Sequence, residues 1–370
     1  MDVSTLFAPF ALGSLRLPNR LAVAPMTRVS ALADGQATAR MADYYADFAA
    51  GGFGLVITEG IYTDRAYAQG YLFQPGLADD THCAAWRRVV ERVHAAGGRI
   101  VAQLMHAGAI SQGNPHRASP KGPSAVQPKG LQMSFYRGEG AYRLPAALSL
   151  TEIEEAVTGF ASAAARAKDA GFDGVEIHGA NGYLLDQFFT DYTNHRDDCY
   201  GGALERRLTL PVQTIHAVRH AVGPDFPVGY RVSQGKVNDF THKWHGGEPE
   251  AAVTFRTLSA APIDYLHTTE FEAWQPAFGE GHSLSSLARR YGTVPVIANG
   301  SLHAPAEAVG MLIREDADLI SLGRGALTHA DWPLRARAGH MLDAFDRALL
   351  SPIADLANTD RIRGQRGAAA

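Results

Sequence analysis

The 370-residue sequence predicts an α/β protein folded as a single (β/α)8 barrel, and three observations support this fold. Short apolar runs alternate with helical patterns eight times along the chain. The runs are nearly continuous in Val, Ile and Leu, which is typical of parallel strands covered on both faces. The turn after the first run, Met26-Thr27-Arg28, lacks the glycine fingerprint that usually opens a doubly wound sheet, so the barrel is favoured over that rival architecture.

The individual elements follow from the apolar runs and the helical patterns. In chain order, strands are predicted over residues 20–26, 54–59, 99–105, 174–178, 227–232, 264–269, 294–298 and 318–322. Amphipathic or Ala-rich helices are predicted over residues 38–50, 80–96, 151–170, 204–222, 248–259, 284–291, 305–313 and 332–345. A strand followed by a helix, repeated eight times, is the element count of a (β/α)8 barrel, which needs about 250 residues.

Three segments lie outside these strand–helix units. Residues 10–17 are predicted to form a small hairpin that plugs the bottom of the barrel. Residues 109–148 contain five prolines and no helical period, and they follow the third strand on the side where barrel loops build active sites, so we expect a lid. Residues 364–370 are expected to be a flexible tail. The domain organisation we expect is therefore one domain over residues 1–370.

Composition and charge exclude several classes of protein. Apolar residues make up 46% of the chain and the net charge is −4, so we expect a packed core and neither a nucleic acid nor an anionic membrane as partner. No apolar run approaches the length of about 20 residues that a membrane span requires. The first ten residues do not resemble a secretory signal, and Cys83 and Cys199 form no CxxC pair, so we expect a cytoplasmic location.

The polar residues at strand ends are the first candidates for chemistry, because barrel enzymes react at the carboxyl ends of their strands. His178, Asn181 and Tyr183 lie within six residues after the fourth strand. His and Asn can donate to one oxygen, and Tyr is a weak acid able to deliver a proton. Arg231 lies inside the fifth strand, where a charged residue must either be paired, with Glu59 or Glu176, or face a ligand.

A phosphate site is indicated at the other side of the barrel mouth. Gly300 lies in the turn after the seventh strand, and Gly323 and Arg324 lie in the turn after the eighth. Glycine turns expose backbone N–H groups, and Arg adds a fork of donors suited to phosphate.

Two other chemistries are not supported by the sequence. No predicted strand contains Lys, which argues against a strand-borne Schiff base, and Lys236 just past the fifth strand is the nearest candidate. His242 and His245 lie in a Gly-rich loop with no carboxylate at helical spacing, so we predict no metal site.

With these residues in place, the chain resembles the Old Yellow Enzyme family of FMN-dependent ene-reductases from residue 6 to about residue 339. The segments that carry the resemblance are 19–28 (NRLAVAPMTR), 103–108 (QLMHAG), 178–188 (HGANGYLLDQF), 194–202 (NHRDDCYGG) and 323–324 (GR). The family fold is the (β/α)8 barrel predicted above. With Thr27 and Asn181 the chain resembles the classical branch of the family, since other members carry Cys and His at these positions. Met105 replaces a Trp that many relatives have.

The resemblance implies a noncovalent FMN at the barrel mouth and NADPH or NADH as reductant. The implied cofactor-binding residues are Pro25, Met26, Thr27, Gly60, Gln103, Arg231, Gly300, Gly323 and Arg324. Among them, Gln103 would bond the pyrimidine edge of the flavin. Arg231 would face N1 and the C2 carbonyl, where negative charge develops on reduction.

The resemblance also implies a reaction. Hydride from the flavin would reach the β carbon of an α,β-unsaturated carbonyl compound or nitroalkene. His178 and Asn181 would bind the substrate oxygen, and Tyr183 would protonate the α carbon. Three alternatives stay open: reduction of nitro or nitrate-ester compounds at the same flavin, a flavin-free barrel lyase or isomerase that uses Tyr183 and His178, and a non-catalytic FMN-binding module.

Overall fold

The barrel is closed by parallel strand pairing all the way round. The computed structural model describes residues 2–367, and within them the barrel strands are Leu21–Val23, Leu55–Ile57, Ile100–Met105, Gly174–Asn181, Val228–Lys236, Tyr265–Thr269, Val296–Asn299 and Leu319–Leu322. Each pairs in parallel with the next, and the last pairs with the first. The predicted (β/α)8 barrel is therefore confirmed.

The helices surround this barrel and pack an apolar face against it. Their bounds are Ala39–Ala50, Asp80–Ala95, Leu150–Asp169, Leu184–Phe189, Leu204–Arg207, Thr209–Val222, Gly247–Ala260, Leu284–Tyr291, Pro305–Ile313, Arg324–Thr328, Trp332–Ala338 and Leu356–Gly367. The main hydrophobic core fills the space between strands and helices. The short helices at 184–189 and 324–328 follow the fourth and eighth strands and were not predicted.

Local chemistry explains where several helices differ from the prediction. The helix expected from residue 151 begins at Leu150, because Ser149 and Glu152 form a reciprocal capping box. The helix expected over 204–222 is broken at Leu208, since Pro211 cannot continue the hydrogen bonds of a preceding helical turn. The helix expected over 332–345 ends at Ala338, because Gly339 adopts a φ of +69°.

The bottom of the barrel is plugged by the predicted hairpin. Strands Phe10–Leu12 and Leu15–Leu17 pair antiparallel. Leu12, Leu15 and Leu17 join a separate apolar cluster with barrel residues such as Leu55 and Ile297. This cluster seals the end opposite the site.

Smaller elements lie in the segments that connect the strands and helices or flank the barrel. The lid segment, residues 109–148, contains strand Lys121–Gly122, which pairs with Ala146–Ala147, and the 3₁₀ turn Ser134–Tyr136. The remaining short elements are the strands Ile61–Tyr62, Pro276–Phe278 and Glu280–Ser283 and the 3₁₀ turns Ser4–Phe7, Gly108–Ile110 and Arg347–Leu350.

One predicted boundary was wrong. The fifth strand extends to Lys236, because its irregular end pairs again with Asn181, so a barrel strand does contain a lysine. The tail expected over residues 364–370 overlaps the last helix, which continues to Gly367. Residues 368–370 of that expected tail lie outside the described residues. No helix within residues 2–367 is both long and apolar enough to cross a membrane.

Candidate active site

A cavity of about 920 Å³ opens at the carboxyl end of the barrel. Its wall contains all twelve residues that the sequence singled out: Pro25, Met26, Thr27, Gly60, Gln103, His178, Asn181, Tyr183, Arg231, Gly300, Gly323 and Arg324. They come from seven of the barrel strands or the turns that follow them. The structure therefore brings together residues that are as much as 299 positions apart in the chain.

His178 lies in the fourth strand and is buried in the cavity wall. Its Nδ1 accepts the backbone N–H of Ala180 at 3.3 Å, which places the proton of the neutral ring on Nε2. Burial holds the pKa of His178 well below its ordinary value, and the nearby charges of Arg231 and His267 act in the same direction. His178 is therefore a neutral imidazole that can donate from Nε2.

Asn181 ends the same strand in the left-handed region, with a φ of +61°. Asn tolerates this conformation better than most residues. The backbone N–H of Asn181 donates to Ser233 Oγ at 2.8 Å, and its carbonyl accepts from Val237 at 3.0 Å. Both partners belong to the fifth strand or the turn after it, so the neighbouring strand fixes Asn181 in the cavity wall.

Tyr183 follows two residues later, with its ring 4.8 Å from that of His178. Its hydroxyl lies 2.6 Å from the hydroxyl of Tyr71, which is fully buried. Burial raises the pKa of Tyr183 above its ordinary value, and the hydrogen bond with Tyr71 lowers it in part. Tyr183 is therefore a protonated phenol whose hydroxyl has a fixed partner.

Tyr71 was missed by the sequence reasoning. It lies after the second strand in a loop without a motif, and its ring packs 4.9 Å from that of Tyr136 in the lid segment. The only signal was the density of aromatic residues in residues 67–73, a loop on the active face of the barrel.

Arg231 is held inside the barrel mouth, with 4% of its surface exposed. One terminal nitrogen donates to Asn299 Oδ1 at 3.1 Å, and Nε is buried without a partner. Within the described chain no carboxylate lies within 4.0 Å of the guanidinium. The ion pair with Glu59 or Glu176 that the sequence left open is therefore not formed. Burial lowers the pKa of Arg231 to about 10, which keeps the group charged at neutral pH. A buried cation with a free donor points to a ligand.

Beneath the cavity, a buried network orients Gln103. The Gln103 carboxamide donates to Glu176 at 2.8 Å, and the second oxygen of Glu176 lies 2.8 Å from His267 Nδ1. Burial opposes ionisation of Glu176, but His267, Arg231 and Gln103 together hold its pKa below the ordinary value. His267 Nε2 continues the network to Ser321 Oγ at 2.8 Å. The Glu176 carboxylate therefore fixes the orientation of the Gln103 side chain in the cavity wall.

Glu59 fixes the segment on which Thr27 lies. One carboxylate oxygen accepts the backbone N–H groups of Arg28 at 2.8 Å and Val29 at 3.3 Å, and the other accepts from Tyr45 at 3.2 Å. Burial raises the pKa of Glu59 to about 7, although these hydrogen bonds and the charge of Arg28 oppose the rise.

The raised pKa of Glu59 gives a test by pH. Because the folded chain holds this proton up to about pH 7 and the unfolded chain releases it near 4.5, the contribution of Glu59 to stability falls as pH rises between these values. Replacing Glu59 by Gln removes the titration and keeps an acceptor. We expect the free energy of unfolding of Glu59→Gln, relative to wild type, to rise by about 3 kcal/mol over this range. Denaturant unfolding at several pH values measures it, and a difference independent of pH would contradict the assignment.

The turn at Gly323 leaves room beside Arg324, whereas the turn at Gly300 is closely packed. Gly300 has a φ of +143°, and a Cβ there would meet the carbonyl of Glu270 at 2.3 Å. A Cβ on Gly323 would meet nothing closer than Met26 Sδ at 3.6 Å, so the missing side chain leaves open cavity volume. The Arg324 guanidinium donates to Ser301 Oγ in the facing turn. The residues predicted to bind phosphate, Gly300, Gly323 and Arg324, thus form a small recess with a positive charge on one side.

A carboxy-terminal segment that was not predicted to reach the site completes the wall. Its residues on the cavity are Phe345, Arg347, Leu350, Ser351 and Pro352. The segment is tied to the first loop by Arg28, which donates to the carbonyl of Asp355 at 3.1 Å, and to the lid segment by Arg137, which pairs with Asp355 at 2.8 Å. The sequence gives no periodic signal there, so only tertiary contacts reveal its place.

Comparisons with known proteins agree with this fold. The chain matches the NADH:flavin oxidoreductase / NADH oxidase family over residues 5–343. It is 33% identical to an NADH oxidase of Thermoanaerobacter brockii over 343 residues, which are 90% of this chain and 51% of that protein. It is 31% identical to 12-oxophytodienoate reductase 2 of Arabidopsis thaliana, over 93% of this chain and 91% of the plant protein. The chain therefore spans about half the length of the first relative and most of the second.

The solved structures give the same result. The old yellow enzyme homologue from Zymomonas mobilis superposes with a TM-score of 0.87 at 33% identity, over 96% of this chain and 99% of that chain. The barrel, the cavity residues and these similarities lead to one assignment. The chain belongs to the NADH:flavin oxidoreductase / NADH oxidase family, the Old Yellow Enzyme family, whose members are FMN-dependent oxidoreductases that use a nicotinamide reductant.

Proposed function

We propose that this chain is an FMN-dependent ene-reductase that uses NADH or NADPH to reduce alkenes conjugated to a carbonyl or nitro group. The observation that carries the proposal is the placement of a neutral donor, His178, beside a protonated phenol, Tyr183, in one cavity wall. Such a pair can bind the oxygen of an activated alkene and deliver one proton to its carbon skeleton.

The cavity fits FMN on its own chemistry. Arg231 Nε is a buried donor without a partner, suited to the electron-rich edge of a flavin. The open volume at Gly323 beside Arg324 suits a phosphate. The residues that would hold the group are Pro25, Met26, Thr27, Gly60, Gln103, Arg231, Gly300, Gly323 and Arg324. FMN bound there would supply the hydride chemistry, passing hydride from the nicotinamide to the β carbon of the alkene.

The chain's own side chains have three tasks in this reaction. His178 donates from Nε2 to the carbonyl or nitro oxygen, and the Asn181 carboxamide donates to the same oxygen, so that electron density is drawn away from the β carbon. Tyr183 gives its hydroxyl proton to the α carbon. The lid and carboxy-terminal segments cover the cavity mouth and limit the entry of water.

Tyr71 supports the phenolate that Tyr183 becomes after proton transfer, since its hydroxyl is already hydrogen bonded there. Replacing Tyr71 by Phe leaves that phenolate without a donor in a buried site. We expect alkene reduction to slow by about 10-fold, the equivalent of one hydrogen bond to a charged group, with little change in flavin reduction by NADPH. Single-turnover kinetics of each half-reaction measure the two rates. An unchanged rate of alkene reduction would remove Tyr71 from the mechanism.

Product analysis tests the proposed function. The protein loaded with FMN is given NADPH and cyclohex-2-enone without oxygen, and cyclohexanone is quantified by gas chromatography. We expect cyclohexanone in amounts equal to the NADPH consumed, and none from the same protein stripped of FMN. NADPH consumption without cyclohexanone would contradict ene-reduction, and cyclohexanone formation without FMN would contradict the flavin.

A further inference from the structure

A buried ion pair lies behind the loop that carries Asn181 and Tyr183. Lys236 Nζ is 2.8 and 2.9 Å from the two carboxylate oxygens of Asp186. The side chains are only 2% and 1% exposed. Within the described chain, neither lines the cavity of about 920 Å³, and no step proposed above uses either group. A charge pair buried this deeply needs a reason, because desolvation offsets much of its attraction.

Asp186 contacts the loop through Gly182. Its Oδ2 accepts the Gly182 backbone N–H at 2.6 Å, and Gln187 Nε2 donates to the Gly182 carbonyl at 2.6 Å. The peptide groups on both sides of Gly182 are therefore fixed by side chains from the next helix. The residues before and after Gly182 are Asn181 and Tyr183, two of the three proposed to act on the substrate.

The backbone conformation of this loop explains why Gly182 has to be held in place. Asn181 and Gly182 are consecutive left-handed residues, with φ of +61° and +85°. A Cβ on Gly182 would meet Asn238 Oδ1 at 2.8 Å and Lys236 Cβ at 3.1 Å, and the φ of +85° is rare for other residues, so glycine is favoured here. Glycine is also the residue with the most alternative conformations. An unanchored Gly182 could change the distance between the Asn181 amide and the Tyr183 hydroxyl.

The charges of Asp186 and Lys236 strengthen the hydrogen bond that holds Gly182. A carboxylate accepts an N–H bond more strongly than an amide does, but a buried carboxylate must be compensated. Lys236 supplies the compensating positive charge. It lies at the end of the fifth strand, where it pairs with Asn181 of the fourth strand. Thr190 Oγ1 adds a hydrogen bond to Asp186 at 3.2 Å.

We propose that Asp186 and Lys236 are positioning residues that hold Gly182, and through it set the separation of Asn181 and Tyr183 on the substrate. This inference rests on the proposed ene-reductase function. The expected sensitivity is high, because a misplacement of about 1 Å in a reacting group can slow a reaction by about 100-fold.

Double variants test the inference, because a single neutral substitution would leave the other charge buried and unpaired. Asp186→Asn with Lys236→Met keeps an acceptor for Gly182 and removes both charges. Asp186→Leu with Lys236→Met removes the acceptor as well and keeps the branching at Cγ. If the leucine variant does not fold, Asp186→Ala with Lys236→Met is the second acceptor-free variant. Each holoenzyme is reduced with NADPH and mixed with cyclohex-2-enone in a stopped-flow instrument, and hydrogen exchange is followed in the peptide covering 178–186.

We expect reoxidation by the enone to slow by about 10-fold or more in the acceptor-free variant and by no more than about 3-fold in the Asn variant. Flavin reduction by NADPH should stay within about 2-fold of wild type in both, and exchange should be faster only in the acceptor-free variant. If the enone reoxidises the acceptor-free variant at the wild-type rate, the inference is overturned. Equal slowing of both double variants, or equal loss in flavin reduction, would overturn it too. A wild-type protein that the enone does not reoxidise would overturn the proposed function, and this inference with it.

Discussion

The Tyr183→Phe variant is expected to reduce alkenes about 10²- to 10⁴-fold more slowly than wild type while its flavin is still reduced by NADPH at nearly the normal rate. The phenylalanine ring keeps the contact with His178 but has no proton to give to the α carbon. Transfer of hydride from the nicotinamide needs no such proton. Stopped-flow measurement of the two half-reactions separates these effects.

Tyr142→Phe is the matched control for this variant. Tyr142 belongs to the same apolar cluster, and its buried hydroxyl has no hydrogen-bond partner among residues 2–367. Its removal should leave both half-reactions close to wild type. Equal losses of Tyr183→Phe in both half-reactions would show that Tyr183 supports the cavity as a whole and is not the proton donor.

Replacing His178 by Ala is expected to lower kcat/KM for the enone by about 10²- to 10³-fold. The variant loses the Nε2–H donor, whose direction is set by the hydrogen bond from Ala180 to Nδ1. Because burial holds the pKa of His178 far below neutrality, the lost group is a hydrogen-bond donor and not a charge. Steady-state kinetics with cyclohex-2-enone at saturating NADPH measure the effect.

His178→Gln separates the donor from the ring. The Gln carboxamide nitrogen can reach about the position of Nε2, so part of the lost kcat/KM should return. If the Gln variant is as slow as the Ala variant, the contact of the imidazole ring with Tyr183 matters more than the N–H group.

Much of the barrel could be predicted because one physical rule governs it. Strands buried on both faces are apolar throughout, so the sequence patterns of residues 99–105 and 318–322 are sufficient to locate Ile100–Met105 and Leu319–Leu322. The site followed from a second rule, that polar side chains at the carboxyl ends of barrel strands face one cavity. Arg231 and His178 are neighbours in the strand register, and both line that cavity.

The residues that could not be predicted are those placed by tertiary contacts. Tyr71 reaches Tyr183 from an irregular loop, and Arg347 reaches the cavity on a segment without any period. Lys236 looked like a loop residue because the apolar run stops at Val232, although strand pairing resumes with Asn181. Side chains of this kind carry no periodic signal, because their partners are distant in the sequence.

The visible absorption spectrum of the purified protein through one anaerobic cycle tests the central claim most directly. We expect a flavin band that is released from the protein on denaturation, that disappears on addition of NADPH, and that returns when cyclohex-2-enone is added. A protein that stays colourless after incubation with FMN would contradict the cofactor assignment. A flavin that NADPH bleaches but that no enone or nitroalkene restores would contradict ene-reduction at this site.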